Sequence, residues 1–169
     1  MNSGLPGASV HEQLRRRAGG SRNVHLVAAI RSSRPPGGPP YYAGMEPIVL
    51  RPGGGRTYEM GRITATFKVD VPRCTISEWW LEPDTAGPGP HSHPDDDVFY
   101  VLAGTMRICV DGVWHDAGAG AYVHVPGGVT HDFENRGTER AGMLNVSVPG
   151  GFEQNMPSIA DWFRARDGD

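Results

Sequence analysis

Lysine is almost missing: Lys68 is the only one among 16 basic residues, the rest being arginine. That bias hints at a GC-rich coding sequence and carries no functional information. Cysteine is equally scarce. Cys74 and Cys109 are too few for a disulfide framework and their spacing matches no metal motif, so free thiols in a reducing cytoplasm are expected. No apolar run approaches the roughly 20 residues of a membrane-crossing helix. Neither charge sign is in surplus, since a net charge of −3 leaves no electrostatic footprint for nucleic acid or lipid. The sequence also offers no serine or cysteine nucleophile with a partnered base, no phosphate-cradling glycine loop and no helix-turn-helix. A cytoplasmic protein with a small-molecule partner is the expectation.

What the chain has in quantity is glycine and proline, 24 and 15 in 169 residues. Such counts suit a turn-rich all-β domain, a disordered segment, or both. The length allows one good core. Residues 1–44 hold six arginines against the single acid Glu12, and the run Arg34-Pro-Pro-Gly-Gly-Pro-Pro40. They bury too little apolar surface to offset the entropy of ordering, so they read as a disordered extension. Met45 is the expected natural start, and residues 45–169 are the expected folded domain.

From Met45 onward, short β-like runs alternate with Gly, Pro and Asp. Ile48–Leu50 reads as a first edge strand. Ile63–Val69, Cys74–Leu81, Val98–Leu102, Thr105–Val110, Val113–Asp116, Ala121–Val125, Val129–Glu134 and Met143–Val148 follow. Asp111-Gly112 is a two-residue hairpin signal. About eight short strands with a turn every ten or so residues fit a jelly-roll or small barrel. Trp79 and Trp80 are neighbours, so one faces inward and one outward; a partner subunit is the expected cover for the outer one. Near the C-terminus the period changes. Ser158 reads as an N-cap, with Ile159, Trp162 and Phe163 on one apolar helical face. The helix is expected to close the barrel, with Trp162 at a ligand entrance as the second reading.

The chemistry concentrates in Gly87–Gly104. His91 and His93 are two apart, so in an extended strand both imidazoles point the same way. Asp97 follows four residues later. Two histidines and a carboxylate converging on one point suit iron, manganese, nickel, cobalt or zinc; the plain alternative is a solvated His/Asp loop. A second stretch, Gly120–Asn135, completes the picture. Together the two resemble the paired signature of the cupin superfamily, G-x5-H-x-H-x3,4-E-x6-G and G-x5-P-x-G-x2-H-x3-N. Gly120, Pro126, Gly128, His131 and Asn135 meet every fixed position of the second. His91, His93 and Gly104 fit the first, in which Thr85 stands at the leading glycine and Asp97 at the usual Glu.

The resemblance implies a double-stranded β-helix, or jelly-roll, barrel carrying one divalent transition metal ion. It also implies His91, His93, Asp97 and His131 as the ligands. Asp97 is a methylene shorter than Glu, with Asp95 and Asp96 as alternatives and a three-histidine site as another. Phe99 and Phe133 lie two residues after Asp97 and His131, so each shares its ligand's face. They read either as core or as the wall of a substrate pocket. Cupins of the quercetin dioxygenase type are similar at these offsets. That likeness implies an aromatic or enol-type substrate, dioxygenase chemistry, and Asp97 as the base that takes the substrate proton. Isomerase, cyclase, decarboxylase or lyase chemistry, or ligand binding alone, stays open, and a homodimer is expected. His124, His115, Tyr100 and Arg107 read as surface or contact residues, with an anionic substrate as the alternative for the last two. Asn135 is expected to fix a turn.

Overall fold

The computed structural model describes residues 46–167; the extension expected over 1–44 lies outside the described residues. Nine strands form in chain order: β1 Arg56–Met60, β2 Ile63–Val71, β3 Cys74–Leu81, β4 Asp96–Ala103, β5 Thr105–Val110, β6 Val113–Gly118, β7 Tyr122–Val125, β8 His131–Glu134 and β9 Ala141–Val148. A 3-10 turn, Phe152–Asn155, leads into one helix, α1, Met156–Asp167. The strands make two antiparallel sheets, a six-stranded one ordered β1-β2-β3-β9-β4-β7 and a three-stranded one ordered β6-β5-β8. The architecture is the all-β jelly-roll barrel, with a short C-terminal helix.

Alternation fixes which faces meet. On β4, Asp97, Phe99 and Val101 are buried while Tyr100 and Leu102 are exposed. On β3, Thr75, Ser77, Trp79 and Leu81 point inward. Burying the aromatic and aliphatic members of these rows against β5 and β8 supplies the main driving force, roughly 1.5–3 kcal/mol for each large side chain. At the Asp111-Gly112 turn both residues take positive φ, 51° and 80°. That is the primed geometry whose twist matches the flanking strands.

Three expectations need correction. Ile48–Leu50 forms no strand, and Val49 is 91% exposed. The edge position belongs to β1, where only Tyr58 and Met60 turn inward and the other residues are polar and exposed. Ser158 is not the N-cap, because the helix already begins at Met156 as a continuation of the 3-10 turn. The face that packs inward is Met156, Ala160 and Phe163, with Trp162 left 48% exposed. Trp80 does face outward, and its own chain covers part of it. The Arg140 guanidinium sits 4.9 Å from its ring centroid, and the ring lies so close over Gly142 that a Cβ there would overlap it.

Candidate metal centre

His91 lies outside the named strands, yet it pairs with the first residue of β8. Its N–H donates to the His131 carbonyl at 3.0 Å, and the His131 N–H donates back at 2.8 Å. Residues directly opposite in an antiparallel pair put their side chains on the same face. The two rings therefore stand side by side, centroids 4.3 Å apart. Room for this segment depends on Gly87, where a Cβ would overlap the Phe133 carbonyl oxygen. Buried Asp132 also helps, its Oδ1 accepting from the Gly89 and Phe133 N–H groups. Burial pushes the Asp132 carboxyl above its usual range, although these two bonds act the other way.

His93 arrives from the other side. The turn before β8 locks onto it, with the Gly128 N–H donating to the His93 carbonyl at 2.7 Å and the Gly127 N–H to Asp96 Oδ1 at 2.7 Å. The His93 ring centroid lies 4.9 Å from that of His131 and 6.0 Å from that of His91. The ligating nitrogens of all three lie within 4.8 Å of one another. His91 Nδ1 is bonded to the Gly89 carbonyl at 2.8 Å and His131 Nδ1 to the Val129 carbonyl at 2.9 Å. An Nδ1 that donates to a carbonyl leaves its Nε2 lone pair free to point at the cluster, the tautomer a metal needs. Burial lowers the His91 pKa, which keeps that ring neutral.

Asp97 stands against the side of the cluster. Its Oδ2 is 3.0 Å from His93 Nε2 and 3.4 Å from His131 Nε2. Two donors that share an ion at bonds of about 2.1 Å lie roughly 3.0–3.4 Å apart in octahedral or tetrahedral geometry. The spacing therefore serves a common ion as well as a hydrogen bond. The group whose ligand atoms all lie within 4.8 Å of one another is His91, His93 and His131, and Asp97 is not in it. The other Asp97 oxygen, Oδ1, accepts from Asn145 Nδ2 at 3.0 Å and Ser147 Oγ at 2.6 Å. Burial would raise the Asp97 pKa, but these bonds with those from His131 and His93 outweigh it and hold the carboxyl well below its usual range. The Asp97 hydrogen bond in turn raises the His93 pKa against the opposing effect of burial. Among the described residues one buried side-chain polar atom has no hydrogen-bond partner, His93 Nδ1. Of the alternative carboxylates, Asp95 Oδ2 is 3.9 Å from His93 Nδ1, away from the cluster, and Asp96 is taken up by Gly127. Three imidazoles, with a carboxylate beside two of them, fit a divalent transition metal ion.

The cluster forms the polar end of a cavity of about 360 Å³. Phe99 and Phe133 line it and are also buried in the core. Trp79, Met143 and Phe152 extend the wall, and Ile159, Trp162 and Phe163 of α1 form a further part of it. Trp162 both lines the cavity and is half exposed. No lysine or arginine is among the described residues lining the cavity.

Other residues stand elsewhere. Tyr100, His124 and His115 are exposed. Arg107 bonds Asp116 and Glu134 and stacks on Trp114. Asn135 fixes a turn, as expected: its amide donates to the Leu81, Glu82 and Glu139 carbonyls and its carbonyl accepts from Gly137. The sequence reading missed Asn145 and Ser147. The signal available was polar residues two apart within an otherwise apolar strand.

The jelly-roll barrel therefore carries, at one end of an apolar cavity, three histidines placed to hold a metal ion. Residues 77–147 match the Cupin domain family, and this stretch of the chain is of the cupin superfamily. No curated protein matches it. Among solved structures it is similar to KdgF from Halomonas sp. (13% identity, TM-score 0.58, covering 65% of this chain and 99% of that one). An RmlC-like cupin from Shewanella frigidimarina is also similar (19%, 0.55, 60% and 90%). So is a predicted oxalate decarboxylase from Thermotoga maritima (18%, 0.55, 60% and 98%). At these identities the likeness is one of fold.

Proposed function

We propose that this cupin is a metal-dependent enzyme acting on a small aromatic or enol-type molecule, as a dioxygenase of the quercetin dioxygenase type. The observation that carries the reading is the placement of three imidazoles at the polar end of a cavity walled mostly by aromatic and aliphatic side chains. His91, His93 and His131, with Asp97, would hold the ion. When bound, it would supply Lewis acidity and, if redox-active, a site for dioxygen. The apolar wall would orient a flat ligand and exclude water. With no arginine or lysine among the described residues lining the cavity, a polyanionic sugar acid or dicarboxylate would find no counter-charge there beyond the ion itself. A neutral or singly ionised ligand suits the wall better.

Asp97 is the proposed base. Asn145 and Ser147, with the His131 and His93 rings beside it, keep it ionised in the ligand-free site. A substrate hydroxyl that takes the place of the His93 contact removes one of these influences and raises the affinity of Asp97 for the proton it receives. The same surroundings favour a second reading. A carboxylate held so far below its usual range is a weak base, which suits non-oxidative Lewis-acid chemistry or simple ligand binding.

Oxygen uptake with flavonol and β-diketone panels, on iron, manganese, nickel and cobalt forms, tests the first reading. Turnover under strict anaerobiosis would replace it with the second, and retention of ligand without turnover with a binding role. Metal analysis of purified single variants tests the site itself. His91→Ala, His93→Ala and His131→Ala should each lower occupancy sharply, and Asp97→Ala should lower it less. Full occupancy in the His131 variant would refute the ligand set.

A further inference from the structure

On β9 the apolar residues Leu144, Val146 and Val148 are the less buried row, while Asn145 and Ser147 point inward. Asn145 is 6% exposed and Ser147 1%. Polar side chains so deeply placed cost free energy unless their hydrogen bonds are made. Theirs are made to one atom. Both donate to Asp97 Oδ1, at 3.0 and 2.6 Å. The two also touch each other, Ser147 Oγ lying 3.2 Å from Asn145 Oδ1; the single hydroxyl proton goes to the nearer, charged acceptor. We infer that Asn145 and Ser147 are positioning residues that set the carboxylate of Asp97 so that Oδ2 faces His93 and His131.

The side chain of Asp has two torsions, so fixing one oxygen fixes the other. Register places the pair correctly: Asp97 is opposite Ser147 and Phe99 opposite Asn145 across the β4–β9 ladder. Both donors therefore rise on the carboxylate's own face. The cupin pattern has the longer Glu at this position. Here two donors on the neighbouring strand constrain the shorter acid from behind, and they take part in the site without touching the ion.

The inference rests on reading the three histidines as an ion site, and a cobalt titration of the EDTA-stripped full chain separates the two. Visible absorption reports coordination, and competition with a chelator reports affinity. Wild type should bind. Ser147→Ala and Asn145→Ala should bind about 10- to 100-fold more weakly, the usual cost of losing a partner that orients a ligand. Their cobalt spectra should move toward that of Asp97→Asn. Adding Ser147→Ala to Asp97→Asn should cost little more, since both act on one carboxylate. Ser147→Thr, which keeps the hydroxyl, should restore the wild-type spectrum. Variants that melt lower when stripped but keep wild-type affinity and spectrum would overturn the positioning role. A wild-type chain that takes up no cobalt would overturn the ion site and this inference together.

Discussion

At the scale of single residues, the His93–Asp97 contact gives the site a pH signature. The folded His93 pKa lies above its ordinary value and that of Asp97 below. A raised histidine pKa contributes stability that is complete below the unfolded value of about 6.5 and is lost as pH rises through the folded one. A lowered aspartate pKa contributes above about 3.9 and is lost as pH falls toward the folded value. The pair therefore helps the metal-free chain most between these limits. In EDTA, the thermal melting advantage of wild type over His93→Gln should be largest near about pH 5.5 and shrink toward about pH 8. With zinc the trend should reverse, because ligation needs neutral imidazole and proton competition weakens binding as pH falls. An advantage that stays flat with pH in EDTA would deny the ion pair.

At the scale of elements, the loop before β4 and the helix after β9 make different demands. Gly87 has no room for a Cβ against the Phe133 carbonyl, and the loop it lies in carries His91. Gly87→Ala should loosen metal binding at least tenfold by chelator competition, although position 87 lies four residues from the nearest ligand. Trp162 lines the cavity yet is half exposed. Trp162→Ala should therefore weaken retention of aromatic ligands several-fold, by equilibrium dialysis, with a melting temperature close to wild type. The same elements show what was legible in the sequence. Strict alternation in β4 made Asp97 and Phe99 readable as sharing a face, alternation in β3 put one of Trp79 and Trp80 inward without saying which, and two fixed spacings brought His131 to His91 and His93. Elsewhere apolarity misled. Ile48–Leu50 looks like a strand but has no partner, whereas β1, written Arg-Thr-Tyr-Glu-Met, pairs along β2 because an edge needs only one apolar face. In β9 the apolar Leu144, Val146 and Val148 form the less buried row, and the interior took Asn145 and Ser147. Local pattern cannot tell which face of a strand carries function. A helix start built on a preceding 3-10 turn leaves no capping signal to find.

At the scale of the whole molecule, that outward row continues into a surface. Tyr100 and Tyr122 are opposite one another across β4 and β7 and both are exposed. Leu102 and Val148 are exposed on the same sheet. The expected homodimer would use this face: light scattering should give twice the mass of one chain. Tyr100→Glu with Tyr122→Glu should halve it and leave the metal content intact. A wild-type monomer would remove the dimer from consideration. The rung that joins His91 to His131 has a wider meaning for how such a chain reaches its native state. Forty positions separate the two, and a slip of one along that ladder would throw an imidazole to the outside. An ion that rewards only the correct alignment would act as a proofreader of folding, and the chain could not capture it before the barrel had closed in register.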